Sequence, residues 1–397
     1  MQAPGSLLIC GNYGYRTAQI DGQTIKTRVL REGFADVLGD EEVRELDSSY
    51  LSANPIRFLS EVRRGIKECS QLVILPGRRG LQLLLPVFLM WKRKWDRPLW
   101  YVVVGGWLPD LLARKRWLRH LCSRLNGIYV ETPMMASHLS GLGIPRVQVL
   151  PNFRKFSRTL RRDFASTTRP LKLVFYSRVI KEKGVEEAIA AVARLNQTDT
   201  QRPVATMDVY GPRPEHYRVE FERLLSQSSH VNYRGVLSPD NVHVVLQNYD
   251  LMLFPTYYEG EGFPGAIVDA FIAGLPVLAS DWKYNREIID EGKTGVICAP
   301  RSIDDMVAKL LHFVIHPEQI MVMRQHCMRK ANNYHVEHAV QHILRDMSEQ
   351  QPIGLADAAG EGLFKETTRN CSRRQVGHQP APPNVSTVSR PQTPTSG

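Results

Sequence analysis

Two acids, Glu261 and Asp269, stand eight positions apart in "YYEGEGFPGAIVDAFIAGLPVLA", with glycines and a proline crowded between them. "YDLMLFPT", just before, is a short apolar run ending in Pro255 and predicts a buried strand. The residues after Pro264 follow a helical period through Ala273 and stop at Gly274, and "LPVLAS" predicts the next strand. Glu261 then lies in a loop at the carboxyl end of a parallel strand, with Asp269 about one turn into the following helix. Open α/β sheets bind ligands at that end. Glycines let backbone approach an anion, and a helix start points free N–H groups at it. A second set lies upstream in "YSRVIKEKGVEEAI", where Arg178 ends a strand and Lys183 precedes the next helix. A departing diphosphate develops negative charge, which a metal ion or positioned cations must stabilise. The chain contains no D-x-D, so cations are the expected route, with no metal.

These residues need a scaffold that brings distant strand ends together. The 397 residues are 43% hydrophobic, enough for two cores. In the first half, "SLLICG", "QLVILPG", "PLWYVVVGGW", "GIYV" and "RVQVLPNF" predict strands, and a helix opens at Asp21. The basic, polar "RKFSRTLRRDFASTTRP" predicts the linker. A second βα series runs from "LKLVFYSR" through the unit carrying Glu261 and Asp269, followed by helices. The expected division is residues 1–165 and 166–350 as two domains, with 351–397 a disordered tail poor in large apolar residues. Two successive βα series predict an α/β fold of two Rossmann-like, doubly wound domains facing across a cleft. "LQLLLPVFLMW" is too short to span a bilayer, no signal peptide is visible, and the six scattered cysteines fit reduced thiols in the cytoplasm.

The combination resembles glycosyltransferase family 4, retaining enzymes of the GT-B fold. The family's E-x7-E motif is matched by "EGFPGAIVDAFIAGLPVLA", with Asp269 one methylene shorter than the usual second acid and Pro264 in place of a glycine. "YVVVGGWLPDLL", "GIYVETPMM", "VLPNF", "SRVIKEKG" and "FPTYYEGEGFPG" resemble the bacterial capsular and exopolysaccharide transferases in particular. The resemblance covers roughly residues 5–345 and implies that Arg178 and Lys183 hold a diphosphate and Asp269 the ribose. It sets Glu261 beside the donor sugar, with Gly262, Phe263, Pro264 and Gly265 offering backbone to sugar and phosphate. The Gly11-to-Gly14 loop approaches from the first domain. Relatives often set a first-domain histidine beside the donor sugar, but the corresponding stretch here, "VVVGGWLPD", has none, and Gly105 and Gly106 are expected to give close backbone approach instead.

The implied activity is metal-independent transfer from a nucleotide-diphosphate sugar, used as substrate and not as cofactor, to a glycan or lipid-linked glycan. A sugar-nucleotide epimerase and a catalytically silent scaffold are the alternatives. A dehydrogenase is disfavoured because no G-x-G-x-x-G follows a predicted strand. Gln23 and Lys26 are read as helix-start residues able to meet donor or acceptor, and His216, His230 and His243 as surface residues. Residues 1–170 hold 27 Lys and Arg against 14 Asp and Glu, whereas the remainder holds 24 against 26. "WKRKWDRPLW" and "LLARKRWLRHLCSRL" concentrate that charge beside Trp and Leu. They predict a basic patch for anionic lipid on the inner face of the cytoplasmic membrane, not a nucleic-acid site. The second stretch is read as one helix with Leu111, Leu112, Lys115, Leu118, Arg119 and Cys122 near one stripe.

Overall fold

The computed structural model describes residues 6–16, 21–157, 170–197 and 202–349. The expected tail and most of the expected linker lie outside them. The first six strands are β1 (Leu7–Gly11), β2 (Val43–Asp47), β3 (Gln71–Leu75), β4 (Leu99–Val102), β5 (Gly127–Val130) and β6 (Val147–Val149). They form one sheet in the order β2-β1-β3-β4-β5-β6. β7 (Leu171–Tyr176), β8 (Ala205–Tyr210), β9 (Val231–Gly235), β10 (Leu251–Phe254), β11 (Val277–Ser280) and β12 (Gly295–Cys298) form the second, in the order β12-β11-β10-β7-β8-β9. Every pairing is parallel, as expected of strands buried on both faces by crossover helices. Strand order reverses between β1 and β3 in the first sheet and between β7 and β10 in the second. These are the switch points where such sheets take ligands.

Helices α1 (Gly22–Leu38), α2 (Pro55–Glu68), α3 (Arg78–Trp95), α4 (Leu108–Arg114), α5 (Arg116–Cys122) and α6 (Pro133–Gly141) cover the first sheet. Asp21 opens α1 as predicted: its carboxylate accepts from the Gln23 and Thr24 amides, and Thr24 caps back, satisfying donors that a helix start leaves unpaired. The stretch read as one helix is two, α4 and α5, separated at Lys115, whose backbone is not helical (φ −116, ψ 85). The six-residue stripe is therefore no single helical face. The apolar window 81–91 lies in α3, which buries Leu81, Leu84, Leu85 and Phe88.

The second sheet carries α7 (Val185–Asn196), α8 (Glu215–Ser226), α9 (Val242–Leu246), α10 (Gly265–Ile272), α11 (Asn285–Ile288), α12 (Ile303–Ile315) and α13 (Glu318–Ala331). α14 (Val336–Glu349) follows, and it begins against the first domain: a Cβ on Gly33 of α1 would stand 2.6 Å from Val336 Cγ2. The chain thus crosses between the sheets near residues 152–157 and returns at 334–336. The two crossings run side by side: the Arg154 amide donates to Tyr334 O and the Val336 amide to Arg154 O, both at 2.9 Å. Arg154, read from sequence as the start of the basic, polar linker, is only 7% exposed.

Candidate functional site

At the second switch point, the turn after β7 packs against the turn after β10. Gly184 has φ +78, and a Cβ there would stand 2.2 Å from Pro255 O, so only glycine permits both the backbone and the approach. The Tyr257 amide donates to Glu182 O at 2.8 Å. This seating carries Lys183 to Glu261: Nζ lies 2.6 Å from Oε2, and both residues are buried. Thr256 Oγ1 donates to the same oxygen at 2.9 Å. Glu261 is no solvated loop acid.

Arg178 is exposed at the end of β7, with its guanidinium 5.0 Å from the Tyr258 ring centroid. Lys183 Nζ lies 4.9 Å from the same centroid. One aromatic ring thus carries both cations predicted to meet a diphosphate, through contacts of the cation–π kind. Trp282 Nε1 donates to Tyr258 O at 2.9 Å, which fixes the loop.

Asp269 is one turn into α10 and 5% exposed. Arg154 grips it with both arms of its fork, Nε to Oδ1 at 2.9 Å and Nη2 to Oδ2 at 3.2 Å. His243 of α9 places Nε2 3.2 Å from Oδ1, so this histidine is a half-buried partner of an acid and not a surface residue. Burial pushes the Asp269 carboxyl up, but Arg154 and His243 outweigh it and hold the group below its ordinary value. Gly265 leaves room for the grip, since a Cβ there would stand 1.8 Å from Arg154 Nη2.

The first domain closes on this loop. Gly105 and Gly106 meet it backbone to backbone: the Gly106 amide donates to Gly260 O at 3.3 Å, and a Cβ on Gly106 would lie 2.0 Å from Glu261 O. The close approach read from "VVVGGW" is therefore made to the second domain's own loop. Glu131, just past β5 and 2% exposed, accepts from Lys26 Nζ at 2.6 Å, the Gly105 amide at 3.2 Å and the Phe263 amide at 2.9 Å. The Phe263 N–H, expected to face the donor, is thus donated to a first-domain carboxylate. Lys26 is wholly buried and also donates to Val103 O at 2.9 Å. Burial pushes its ammonium pKa down, against the opposing pull of Glu131. Asn152 Nδ2 donates to Phe263 O at 2.9 Å.

The Gly11-to-Gly14 loop lies at the first switch point. Asp47, at the end of β2, binds the Tyr13 and Tyr15 amides at 3.2 and 3.1 Å, and Gly14 takes φ +69. Glu131, Asn152, Arg154 and Asp47 escaped the sequence reading. Glu131 did carry a signal, as an acid directly after an apolar strand in "GIYVET".

Residues 156–333 match the family described as Glycosyl transferases group 1. The glycogen synthase of Mycobacterium tuberculosis is 26% identical over 210 residues, which are 51% of this chain and 50% of that protein. The alpha-galactosylglucosyldiacylglycerol synthase of Streptococcus pneumoniae is 23% identical over 253 residues, 60% of this chain and 65% of that one. The chain thus spans about half the length of the first of these relatives. Among solved structures, Anabaena HepE in complex with UDP and glucose superposes with a TM-score of 0.67 at 16% identity, over 87% of this chain and 99% of that one. That likeness concerns the fold, two Rossmann-like domains in the GT-B arrangement.

Proposed function

Through residues 156–333 the chain belongs to the glycosyl transferases group 1 family, and from that premise we propose that it transfers a sugar, with retention, from a nucleotide-diphosphate sugar to a growing glycan. The observation that carries the reading is the second switch point, where Lys183 pairs with Glu261 while Arg178 and Lys183 share the Tyr258 ring. In this reading Arg178 and Lys183 meet the diphosphate and stabilise the charge that grows on it as the glycosidic bond breaks. Glu261 orients Lys183 and faces the donor sugar. Gly262 and Gly265 lend backbone, while Phe263 and Pro264, whose backbone groups are already engaged or absent, shape the loop, and Asp269 takes the ribose. Gly11 and Gly14 shape the loop that approaches from the first domain. The UDP held by HepE makes UDP-sugars the first donors to try.

The acceptor we propose is lipid-linked, in capsular, exopolysaccharide or lipopolysaccharide synthesis. The name of the pneumococcal relative, a diacylglycerol glycolipid synthase, supports a lipid acceptor. So does the surface of the first domain. α2 packs on α3 and α3 on α5. These three helices expose Ile56 (81%), Leu83 (63%), Met90 (59%) and Trp117 (48%), and the same helices carry exposed Arg57, Arg63, Arg93, Lys94 and Arg116. Helices that expose both apolar side chains and cations suit an anionic lipid surface. No helix among the described residues is long and apolar enough to cross a membrane, and we place the protein as peripheral on the cytoplasmic side.

The test is thermal stabilisation by a panel of UDP-, GDP- and dTDP-sugars, followed by hydrolysis of the donor that responds. Ligand at about 100 times its Kd adds roughly 2.7 kcal/mol. A chain that no sugar nucleotide stabilises contradicts the proposal. One that binds a donor but never releases its sugar fits the scaffold reading.

A further inference from the structure

We propose that Arg154 is a positioning residue for nucleotide recognition, acting through Asp269 to fix the ribose acceptor to the crossing between the domains. The inference rests on the donor reading above and adds a residue that neither the paired acids nor the two cations include.

Arg154 is held from two directions. Its backbone is clamped to the return crossing on both sides, by Tyr334 O and the Val336 amide. Its side chain reaches α10 and binds both oxygens of Asp269, while Nη1 donates to Phe153 O at 3.0 Å. A two-armed grip fixes the plane of the carboxylate as well as its place, which a lysine or a lone hydrogen bond does not do. Asp269 has about four lone-pair sites. Arg154 fills one on each oxygen and His243 a second on Oδ1, leaving one on Oδ2 for a hydroxyl. The acid is one methylene shorter than Glu, so it cannot swing to follow a ligand, and its direction is Arg154's to set. Gly265 belongs to the same device, because any side chain there meets the guanidinium. A shift of the crossing therefore shifts the acceptor of the ribose.

The experiment titrates UDP, GDP and dTDP into the full-length wild type and into Arg154→Met, Asp269→Asn, the double variant and Lys183→Ala. Hydrolysis of the matching sugar nucleotide is followed in parallel. Arg154→Met is expected to weaken the nucleotide and raise the donor KM about tenfold, with kcat changed less than about threefold. The double variant binds no more weakly than Asp269→Asn alone, since both losses pass through one carboxylate. Arg154→Lys keeps the charge with fewer donors and falls in between, and it carries the test if Arg154→Met does not fold. Wild-type affinity in Arg154→Met, or losses that multiply in the double variant, overturns the inference. If Lys183→Ala weakens binding while the Arg154 variants do not, this inference fails and the donor reading stands. If the wild type binds none of the three nucleotides, or Lys183→Ala binds as well as wild type, the donor reading fails and takes this inference with it.

Discussion

The two sheets offer the same kind of switch point but fill it differently. Between β1 and β3 the polar groups hold their own backbone: Asp47 binds the Tyr13 and Tyr15 amides, Arg28 Nε donates to Tyr13 O at 2.7 Å, and Gln23 Nε2 to Leu75 O at 3.1 Å. Between β7 and β10 the polar groups are charged side chains brought together from different turns, Lys183 with Glu261 and Arg178 above Tyr258. The first domain's buried cation, Lys26, is spent on groups just past the ends of β4 and β5, Val103 O and Glu131. A shared topology thus places loops at the same end of each sheet, and residue type decides which of them gathers charged side chains. The first domain closes on the second's loop through Gly106 and Glu131, while the paired side chains at the second switch point come from the second domain alone.

The largest expected effect tests the structural half of that contrast. Removing Glu131 as Glu131→Ala leaves the Lys26 amine wholly buried without its counter-charge, which costs about 3–5 kcal/mol. The double change Lys26→Met with Glu131→Leu is expected to cost much less, because neither partner is then left unpaired. Urea denaturation reads both. Equal losses in the single and double variants mean that the pair is not what stabilises the closure.

Next come the cations of the second domain. Lys183→Ala and Arg178→Ala are each expected to lower donor turnover by about 10²-fold or more while the protein stays folded. Near-normal turnover with both removed moves the diphosphate elsewhere and erases the difference between the two switch points.

A smaller effect separates the acids. Asp269→Asn is expected to weaken the bare nucleotide and the sugar nucleotide alike, about tenfold. Glu261→Gln harms the sugar nucleotide and the rate more than the bare nucleotide. Calorimetry with both ligands resolves the split, and equal losses in all four titrations contradict it.

What could be read from sequence follows from how local each signal is. The central strands stand out as unbroken apolar runs such as "QLVIL" and "LMLF" because both their faces are buried. β2, "VRELD", went unread since it is a half-exposed edge strand with charges at Arg44 and Glu45, and the four-residue β12 is another edge. Lys183, Glu261 and Asp269 were legible because one βα series sets them at its strand ends. Arg154 was not: its partner lies 115 residues away, and its neighbours in sequence are those of a basic linker. Glu131 pairs with Lys26 across 105 residues and with Phe263 across 132. Contacts that close a cleft leave no periodicity on either side.

The smallest expected effect per residue lies on the basic face of the first domain. Vesicles containing phosphatidylglycerol should sediment the protein at low salt and release it at high salt, with each cation near the surface contributing about 1 kcal/mol. Changing Arg114, Lys115, Arg116 and Arg119 together to Ser should weaken this attachment without altering donor hydrolysis. Unchanged binding in that variant moves the contact off α4 and α5, and no sedimentation of the wild type at low salt ends the membrane reading.

If the second domain's switch point holds the diphosphate, nucleotide affinity depends on its two cations. Calorimetric titration of the wild type and of the Arg178→Ala, Lys183→Ala double variant with UDP, GDP and dTDP tests it most directly. At least one nucleotide is expected to bind the wild type, and the double variant to bind it about 10²-fold more weakly or not at all. Equal affinity in the two proteins contradicts it.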